Sequence, residues 1–145
     1  MKDKYISILG FFLMVTAIIF MVIEKSLLAE ETFPRILQGL CVLLMLYARY
    51  SFGKRSFHAS AEPTEGGLVT TGPYKFIRHP IYAAVLYFIL IGVFTHLSVV
   101  NLFLGILAVS GVAVRIYLEE KLVLEKYPEY IDYSKKTKRI IRFII

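Results

Sequence analysis

The sequence contains little of what cross-linked, nucleotide-binding or metal-binding domains require. It has one cysteine, Cys41, and because one cysteine cannot form an internal disulfide, a disulfide-stapled scaffold is excluded. Neither G-x-G-x-x-G nor the Walker pattern occurs, so a nucleotide site of those kinds has no support. The histidines have no partner at metal-ligand spacing, and we therefore expect no metal centre. Only 19% of the residues are charged, which argues against a disordered chain.

Apolar residues, by contrast, are abundant. They make up 57% of the 145 residues, whereas soluble domains contain about 45–50%. Lys and Arg exceed Asp and Glu by 17 to 11, which gives a net charge of +6. In a soluble domain this excess would suggest nucleic acid, but in so apolar a chain it indicates a membrane protein whose basic residues set its topology. We therefore expect one integral-membrane domain over residues 1–145, a membrane as partner and no nucleic acid.

Apolar runs predict an all-α, polytopic membrane protein with about four transmembrane helices, over residues 5–23, 34–52, 81–97 and 98–118. The first run exceeds the apolar part of a signal peptide and no A-x-A pattern follows it, which favours a retained helix over a cleaved one. The break between the third and fourth runs is very short and predicts an antiparallel hairpin. Small residues give the fourth run faces for close packing, namely Gly105, Ala108, Ser110, Gly111 and Ala113.

Two polar segments lie outside these runs, a loop over residues 53–80 and a tail over residues 119–145. At the start of the tail, Leu122, Val123 and Leu124 are expected to continue the fourth helix until Pro128 interrupts it. Lys and Arg concentrate in both segments and near the N-terminus, so the positive-inside rule places both termini, the loop and the tail in the cytosol. The tail has tyrosines at three-residue spacing among basic residues, which predicts an amphipathic C-terminal helix on the membrane surface. The short chain suggests a prokaryotic plasma membrane.

A tight hairpin would bring the start of the third run close to the end of the fourth. Six side chains would then share one region: Arg78, His79, Tyr82, Arg115, Glu119 and Glu120. Arg115 and Glu119 are four residues apart on a predicted helix and so lie on one face. A charge near the hydrocarbon costs about 2.5–3.5 kcal/mol on insertion scales, so such groups usually face a bundle interior or a cavity. A cation and two carboxylates could bind a zwitterionic ligand, and an ion pair that simply ends a helix is an equal alternative.

The segment LVTTGPYKFIRHPIYAA resembles the loop of the isoprenylcysteine carboxyl methyltransferase family, which is related to the phospholipid N-methyltransferases. The family pattern is Arg-His-Pro-x-Tyr, a hydrophobic stretch and then Glu-Glu. This chain has Arg78-His79-Pro80-Ile81-Tyr82 and later Glu119-Glu120. Its tail, EKYPEYIDYSKKTKRIIRFI, is similar to the family's ending, so the resemblance covers about residues 66–145. The chain departs from the family at Tyr127-Pro128 and at Arg142, where members often have Phe-Gly and Pro.

The resemblance implies an integral-membrane methyltransferase that uses S-adenosylmethionine, bound at the cytosolic side by the last membrane helices and the tail. Carried over by motif, the residues that bind the cofactor or shape its pocket are Tyr74, Arg78, His79, Pro80, Tyr82, Glu119 and Glu120. Arg115 and Glu119 are the predicted catalytic residues, with Arg115 orienting the carboxylates or a substrate anion. Tyr130 and Tyr133 could cover the pocket, and simple packing is an equal alternative.

Methyl transfer requires the nucleophile, the methyl group and the sulfur to be aligned and water to be excluded. A carboxylate or thiolate acceptor needs no general base, whereas an amine would release a proton to Glu119, Glu120 or His79. The expected partner is a lipid or lipophilic small molecule: an isoprenylcysteine-type carboxylate, a phospholipid amine or a small thiol. Two alternatives remain open at this point, an NADPH-dependent membrane reductase, since sterol reductases carry a similar pattern, and a non-catalytic membrane subunit.

Overall fold

The computed structural model of the protein describes residues 2–53 and 66–140. The regular elements in these two ranges are helical, which confirms the all-α class. The α-helices there are α1 (Lys2–Ile23), α2 (Thr32–Phe52), α3 (Pro80–Thr95), α4 (Val99–Lys126) and α5 (Tyr130–Lys136). A short 3-10 helix, Gly72–Lys75, precedes α3.

Local sequence signals set the ends of the helices around the α3–α4 hairpin. Pro80 is the first residue of α3, where its missing N–H group removes no helical hydrogen bond. Ser98 caps α4, because its hydroxyl oxygen accepts a hydrogen bond from the amide of Asn101 at 3.1 Å. At the other end of α4, Tyr127 has left the helical conformation, with φ −129° and ψ 88°. The following Pro128 disfavours a helical residue before it, and α4 therefore ends at Lys126.

Helix α4 extends beyond the predicted fourth span, which ends at residue 118. It continues through Leu122, Val123 and Leu124 to Lys126, in agreement with the prediction that Pro128 interrupts it. The predicted amphipathic C-terminal helix is correspondingly short, since α5 has 7 residues and the chain is extended at Thr137. The parts of the predicted loop and tail at 54–65 and 141–145 lie outside the described residues.

The four long helices pack in the spatial order α1, α4, α3, α2. Helix α1 runs along α4, α3 packs against α4, and α2 packs against α3. At the crossing of α1 and α4 a Cβ atom on Gly111 would lie 2.5 Å from the carbonyl oxygen of Gly10, so only glycine permits this approach. Of the small residues predicted to line α4, three are buried, namely Gly105, Ala108 and Gly111, whereas Ser110 and Ala113 are exposed.

Polar contacts tie the helices together at opposite ends. At one end, the hydroxyl of Ser26 donates to Oδ1 of Asn101 at 2.8 Å, which holds the segment after α1 against the start of α4. At the other end, Nη1 of Arg115 donates to the carbonyl oxygen of Ser7 at 3.3 Å. Helices α1 and α4 therefore run antiparallel. The candidate site lies at the second end, which also contains the start of α3.

Two helices of the described chain are long and apolar enough to cross a membrane, Tyr5–Ile23 within α1 and Val99–Lys126. Helix α3 is also apolar, but its 16 residues extend only about 24 Å, against a hydrocarbon core of about 30 Å. The two long helices agree with a membrane protein. The topology of four spans stays a prediction.

Candidate functional site

The tail returns to the segment before α3 and pairs with its backbone. The amide of Arg78 donates to the carbonyl oxygen of Lys138 at 2.6 Å, and the amide of His79 donates to that of Arg139 at 3.0 Å. In the opposite direction, the Lys138 amide donates to the carbonyl oxygen of Phe76 at 3.3 Å. These bonds hold the tail beside the N-terminal end of α3, where the Arg-His-Pro motif lies.

The carboxylate of Glu120 collects hydrogen-bond donors from three parts of the chain. Its Oε1 accepts from Nε of Arg78 at 2.9 Å and from the hydroxyl of Tyr130 at 3.2 Å. The same oxygen lies 3.3 Å from Nε2 of His79, and Oε2 accepts from Nε of Arg139 at 2.9 Å. The Glu120 side chain is only 13% exposed. A carboxylate loses bound water when it is enclosed by protein, at a high energetic cost, and these donors take the place of that water.

Arg78 connects Glu120 to the end of α5. Its Nη1 donates to the carbonyl oxygens of Ser134 at 2.8 Å and Thr137 at 2.5 Å. Carbonyl groups at the end of a helix have no partner within the helix, and a cation is the favourable group there. Arg78 thus fastens three elements to one another: the segment before α3, α4 through Glu120, and α5.

A second set of contacts joins Glu119 to Arg115 through Tyr82. The Tyr82 hydroxyl donates to Oε2 of Glu119 at 2.8 Å and accepts from Nε of Arg115 at 3.1 Å. Nδ1 of His79 lies 4.0 Å from Oε1 of Glu119. The Glu119 side chain is 29% exposed, more than twice the 13% of Glu120. Of the two neighbouring carboxylates, Glu119 is therefore the more open to a ligand.

Arg115 is enclosed by side chains of α1 and α3. It is 4% exposed, and its guanidinium carbon lies 5.4 Å from the ring centre of Phe11 and 5.6 Å from that of Tyr82. A cation over an aromatic face is attracted by the electrons of the ring, and the attraction grows when water is excluded. The aromatic faces therefore help to compensate Arg115 for the water that it loses on burial.

Tyrosines of the tail and of the 3-10 helix form an aromatic side of the site. The Tyr133 hydroxyl donates to the carbonyl oxygen of Tyr74 at 2.7 Å, and the Tyr74 ring lies 5.5 Å from that of Phe52. Burial raises the pKa of Tyr133 to about 12 and also raises the pKa values of Tyr74 and Tyr130. The three phenols therefore remain protonated at neutral pH, so that Tyr130 and Tyr133 can act as hydrogen-bond donors.

The site contains all six charged and phenolic residues that the hairpin argument places together, namely Arg78, His79, Tyr82, Arg115, Glu119 and Glu120. Of the other predicted residues, Pro80 begins α3 and Tyr74 takes part through its backbone carbonyl. Within the described chain, no group of three or more His, Cys, Asp or Glu residues could hold a metal ion.

The sequence interpretation did not single out three residues of the site: Arg139, Ser7 and Phe11. A signal existed for Arg139, which lies in the Thr-Lys-Arg stretch of the tail. No signal marked Phe11, because it lies in an uninterrupted apolar run in which spacing distinguishes no residue. Ser7 contributes only its carbonyl oxygen, which every residue type possesses.

An apolar cleft lies between α1, α2 and α3. Its volume is about 210 Å³, and its lining includes Ile18, Cys41, Met45, Val85, Phe88 and Ile89. Tyr82 precedes Val85 by three residues and Ile89 by seven, so all three lie on one face of α3. The lining residues Val85 and Ile89 therefore lie on the face of α3 that also carries Tyr82.

Comparison with known proteins identifies one family. A sequence model of the isoprenylcysteine carboxyl methyltransferase (ICMT) family matches residues 32–125, which is more than half of the chain. The match includes α2, α3 and almost all of α4, and with them the Arg-His-Pro motif and both carboxylates. No curated protein and no solved structure matches the chain.

Proposed function

Because the chain belongs to the isoprenylcysteine carboxyl methyltransferase family, a family of membrane methyltransferases, we propose that it transfers the methyl group of S-adenosylmethionine to a lipophilic acceptor. One observation carries the proposal. The motif residues Arg78, His79 and Tyr82 meet Glu119 and Glu120 in a single hydrogen-bonded site. The excess of Lys and Arg at this end of the helices supports a site at the cytosolic membrane face.

The side chains of the site fit the chemistry of this cofactor. S-adenosylmethionine presents an ammonium group, a positively charged sulfur and ribose hydroxyls, each of which a carboxylate can bind. Glu119 offers such a carboxylate with part of its surface exposed. Arg139, whose side chain is 49% exposed, offers a cation for the cofactor's own carboxylate. The predicted cofactor-binding residues Tyr74, Arg78, His79, Pro80, Tyr82, Glu119 and Glu120 thus remain our proposal for the pocket.

The two neighbouring carboxylates have different proposed roles. Glu120 accepts hydrogen bonds from Arg78, Tyr130 and Arg139. It therefore shapes the pocket by holding the tail in place. Glu119 faces the ligand, and its orientation is set by the Tyr82 hydroxyl.

The proposed reaction requires little covalent chemistry from the protein. When bound, S-adenosylmethionine would supply the methyl group. The acceptor's lone pair would form the new bond to the methyl carbon as the carbon–sulfur bond breaks and its electron pair goes to sulfur. The residues of the site align the two reactants and exclude water. A carboxylate or thiolate acceptor loses no proton, whereas Glu119 is the best-placed group to take the proton from an amine. Arg115 is nearly buried and therefore acts through Tyr82 rather than on the substrate.

The apolar cleft supports a lipophilic acceptor. Its lining is apolar, and it lies on the same face of α3 as Tyr82. An acceptor whose reactive group reached Glu119 could therefore place a hydrocarbon chain against Val85 and Ile89.

The test is a calorimetric titration of the detergent-purified protein with S-adenosylhomocysteine, with NADPH titrated in parallel. Wild-type protein should bind S-adenosylhomocysteine saturably and Glu119→Gln should bind it about tenfold more weakly, since a charged hydrogen-bond partner is lost. Glu125→Gln changes an exposed carboxylate of the same helix and should bind as the wild type does.

Three results would count against the proposal. Equal binding by wild type and Glu119→Gln would remove Glu119 from the pocket. Binding of NADPH alone would favour a reductase. Binding of neither compound to a folded sample would favour a subunit without catalytic activity.

A further inference from the structure

We infer that α1 is part of the working site, because Phe11 and the backbone of Ser7 position Arg115 and, through it, Tyr82 and Glu119. The inference rests on the proposed function, since it assigns α1 a role in the same reaction. It extends beyond the family match, which begins at residue 32, after the end of α1.

Among the residues that the structure describes, three partners position the Arg115 guanidinium: Ser7, Tyr82 and Phe11. Nη1 donates to the carbonyl oxygen of Ser7, Nε donates to the Tyr82 hydroxyl, and the guanidinium carbon lies over the ring of Phe11. The guanidinium is planar and its donors point in fixed directions, so a partner on each side determines its orientation. Two of the three partners belong to α1.

The close crossing of α1 and α4 makes these contacts possible. Gly10 lies one residue before Phe11, and a Cβ atom there would lie 2.9 Å from the carbonyl oxygen of Gly111 and 3.2 Å from Cγ of Arg115. A larger residue at Gly10 would push the helices apart and move α1 away from the guanidinium. The glycine pair thus brings the α1 backbone within hydrogen-bonding distance of Arg115.

The position of Arg115 then determines the orientation of Glu119. A phenol has one proton to donate, and the approach of the Arg115 Nε–H group to the Tyr82 oxygen directs that proton toward Glu119. Without Arg115 in place, the Tyr82 hydroxyl can rotate and the Glu119 carboxylate loses its fixed donor. Phe11 is therefore a positioning residue that acts on the site through Arg115 and Tyr82.

The experiment compares Phe11→Leu with Phe20→Leu, a matched control. Phe20 lies nine residues further along α1 and its side chain is exposed. Nuclear magnetic resonance on protein with isotope-labelled arginine follows the exchange of the Arg115 Nε–H proton with water, and Arg115→Lys assigns the signal. In the wild type this proton should exchange more slowly than the Nε–H proton of free arginine in the same buffer. Phe11→Leu should speed its exchange about tenfold, whereas Phe20→Leu should leave it unchanged.

Methyl transfer is measured on the same samples. Phe11→Leu should lower kcat about tenfold, Phe20→Leu should not, and Phe11→Tyr should restore the rate because it retains the aromatic face. Recovery by Phe11→Tyr separates a positioning role from a general loss of packing.

The outcomes separate this inference from the proposed function. Exchange in the wild type that is as fast as in free arginine overturns the role of α1 whether or not the protein is active, and so does equal exchange in the two Leu variants. If the exchange pattern is as expected but the protein neither binds S-adenosylhomocysteine nor methylates any acceptor, the proposed function is overturned instead. An active protein in which Phe11→Leu changes exchange but not kcat limits α1 to a structural contact and overturns the inference.

Discussion

Nε of Arg78 lies 2.9 Å from Oε1 of Glu120, although the two residues are 42 positions apart in the chain. The contact joins the segment before α3 to a helix that begins beyond the α3–α4 turn. Arg78 also binds the carbonyl groups at the end of α5. One guanidinium therefore connects the helical hairpin to the tail, and four predictions follow from the contacts around it and from the helix crossing.

Glu120→Gln should lower the free energy of unfolding by about 2 kcal/mol, because the amide keeps one acceptor oxygen but loses the charge that Arg78 and Arg139 face. The measurement is thermal unfolding of the purified protein in detergent. Glu125→Gln, at an exposed position of the same helix, is the control and should change stability by less than about 0.5 kcal/mol. Equal stability of the two variants would mean that Glu120 does not hold the tail.

Arg139→Ala should have a smaller effect on global stability, below about 1 kcal/mol, because the Arg139 side chain is 49% exposed and solvent screens its ion pair. Its effect should instead be local. Hydrogen exchange measured by mass spectrometry should become faster in the peptides that contain residues 134–140. Lys135→Ala is the control, since Lys135 pairs with Asp132 at the surface. Unchanged exchange in Arg139→Ala would contradict the proposed attachment of the tail through Glu120.

Gly111→Ala should destabilise the protein by about 1–3 kcal/mol, because its Cβ atom would lie 2.5 Å from the backbone oxygen of Gly10 and the two helices would have to separate. Gly39→Ala is the matched control. A Cβ atom on Gly39 meets nothing within 4 Å, and Ala is the better helix former by up to about 1 kcal/mol. Unfolding in denaturant should therefore show a lower free energy of unfolding for Gly111→Ala and an unchanged or higher one for Gly39→Ala. A similar loss of stability in both variants would argue against the close crossing.

Tyr133 should make the protein less stable as the pH becomes alkaline. Burial raises its pKa to about 12, above the value of about 10 for a free phenol, so the folded state retains the proton longer than the unfolded state. The stabilisation is fully present below pH 10 and is lost as the pH rises toward 12. Unfolding measured between these values should therefore show a smaller loss of stability in Tyr133→Phe than in the wild type. Tyr50→Phe, which changes a phenol that is 86% exposed, should behave as the wild type does.

Much of the fold and the core of the candidate site could be predicted from sequence because both depend on local patterns. Uncharged apolar runs indicated helices, and the short break between α3 and α4 placed their outer ends side by side. That proximity was enough to group Arg78 with Glu120 and Tyr82 with Glu119. The end of α4 was predictable as well, because Pro128 disfavours a helical residue before it, and the helix ends at Lys126.

Contacts between distant segments could not be read from such patterns. Phe11 contacts Arg115 because a glycine crossing brings α1 close to α4, and Arg139 contacts Glu120 because the tail pairs with the segment before α3. Residue types along the chain established the helical class, the resemblance to a methyltransferase family and the polar residues of the site. The unequal roles of Glu119 and Glu120 followed only from the packed chain, because burial and hydrogen-bond donors are supplied by other helices. Two adjacent glutamates are chemically identical until the fold surrounds one with donors and leaves the other partly open.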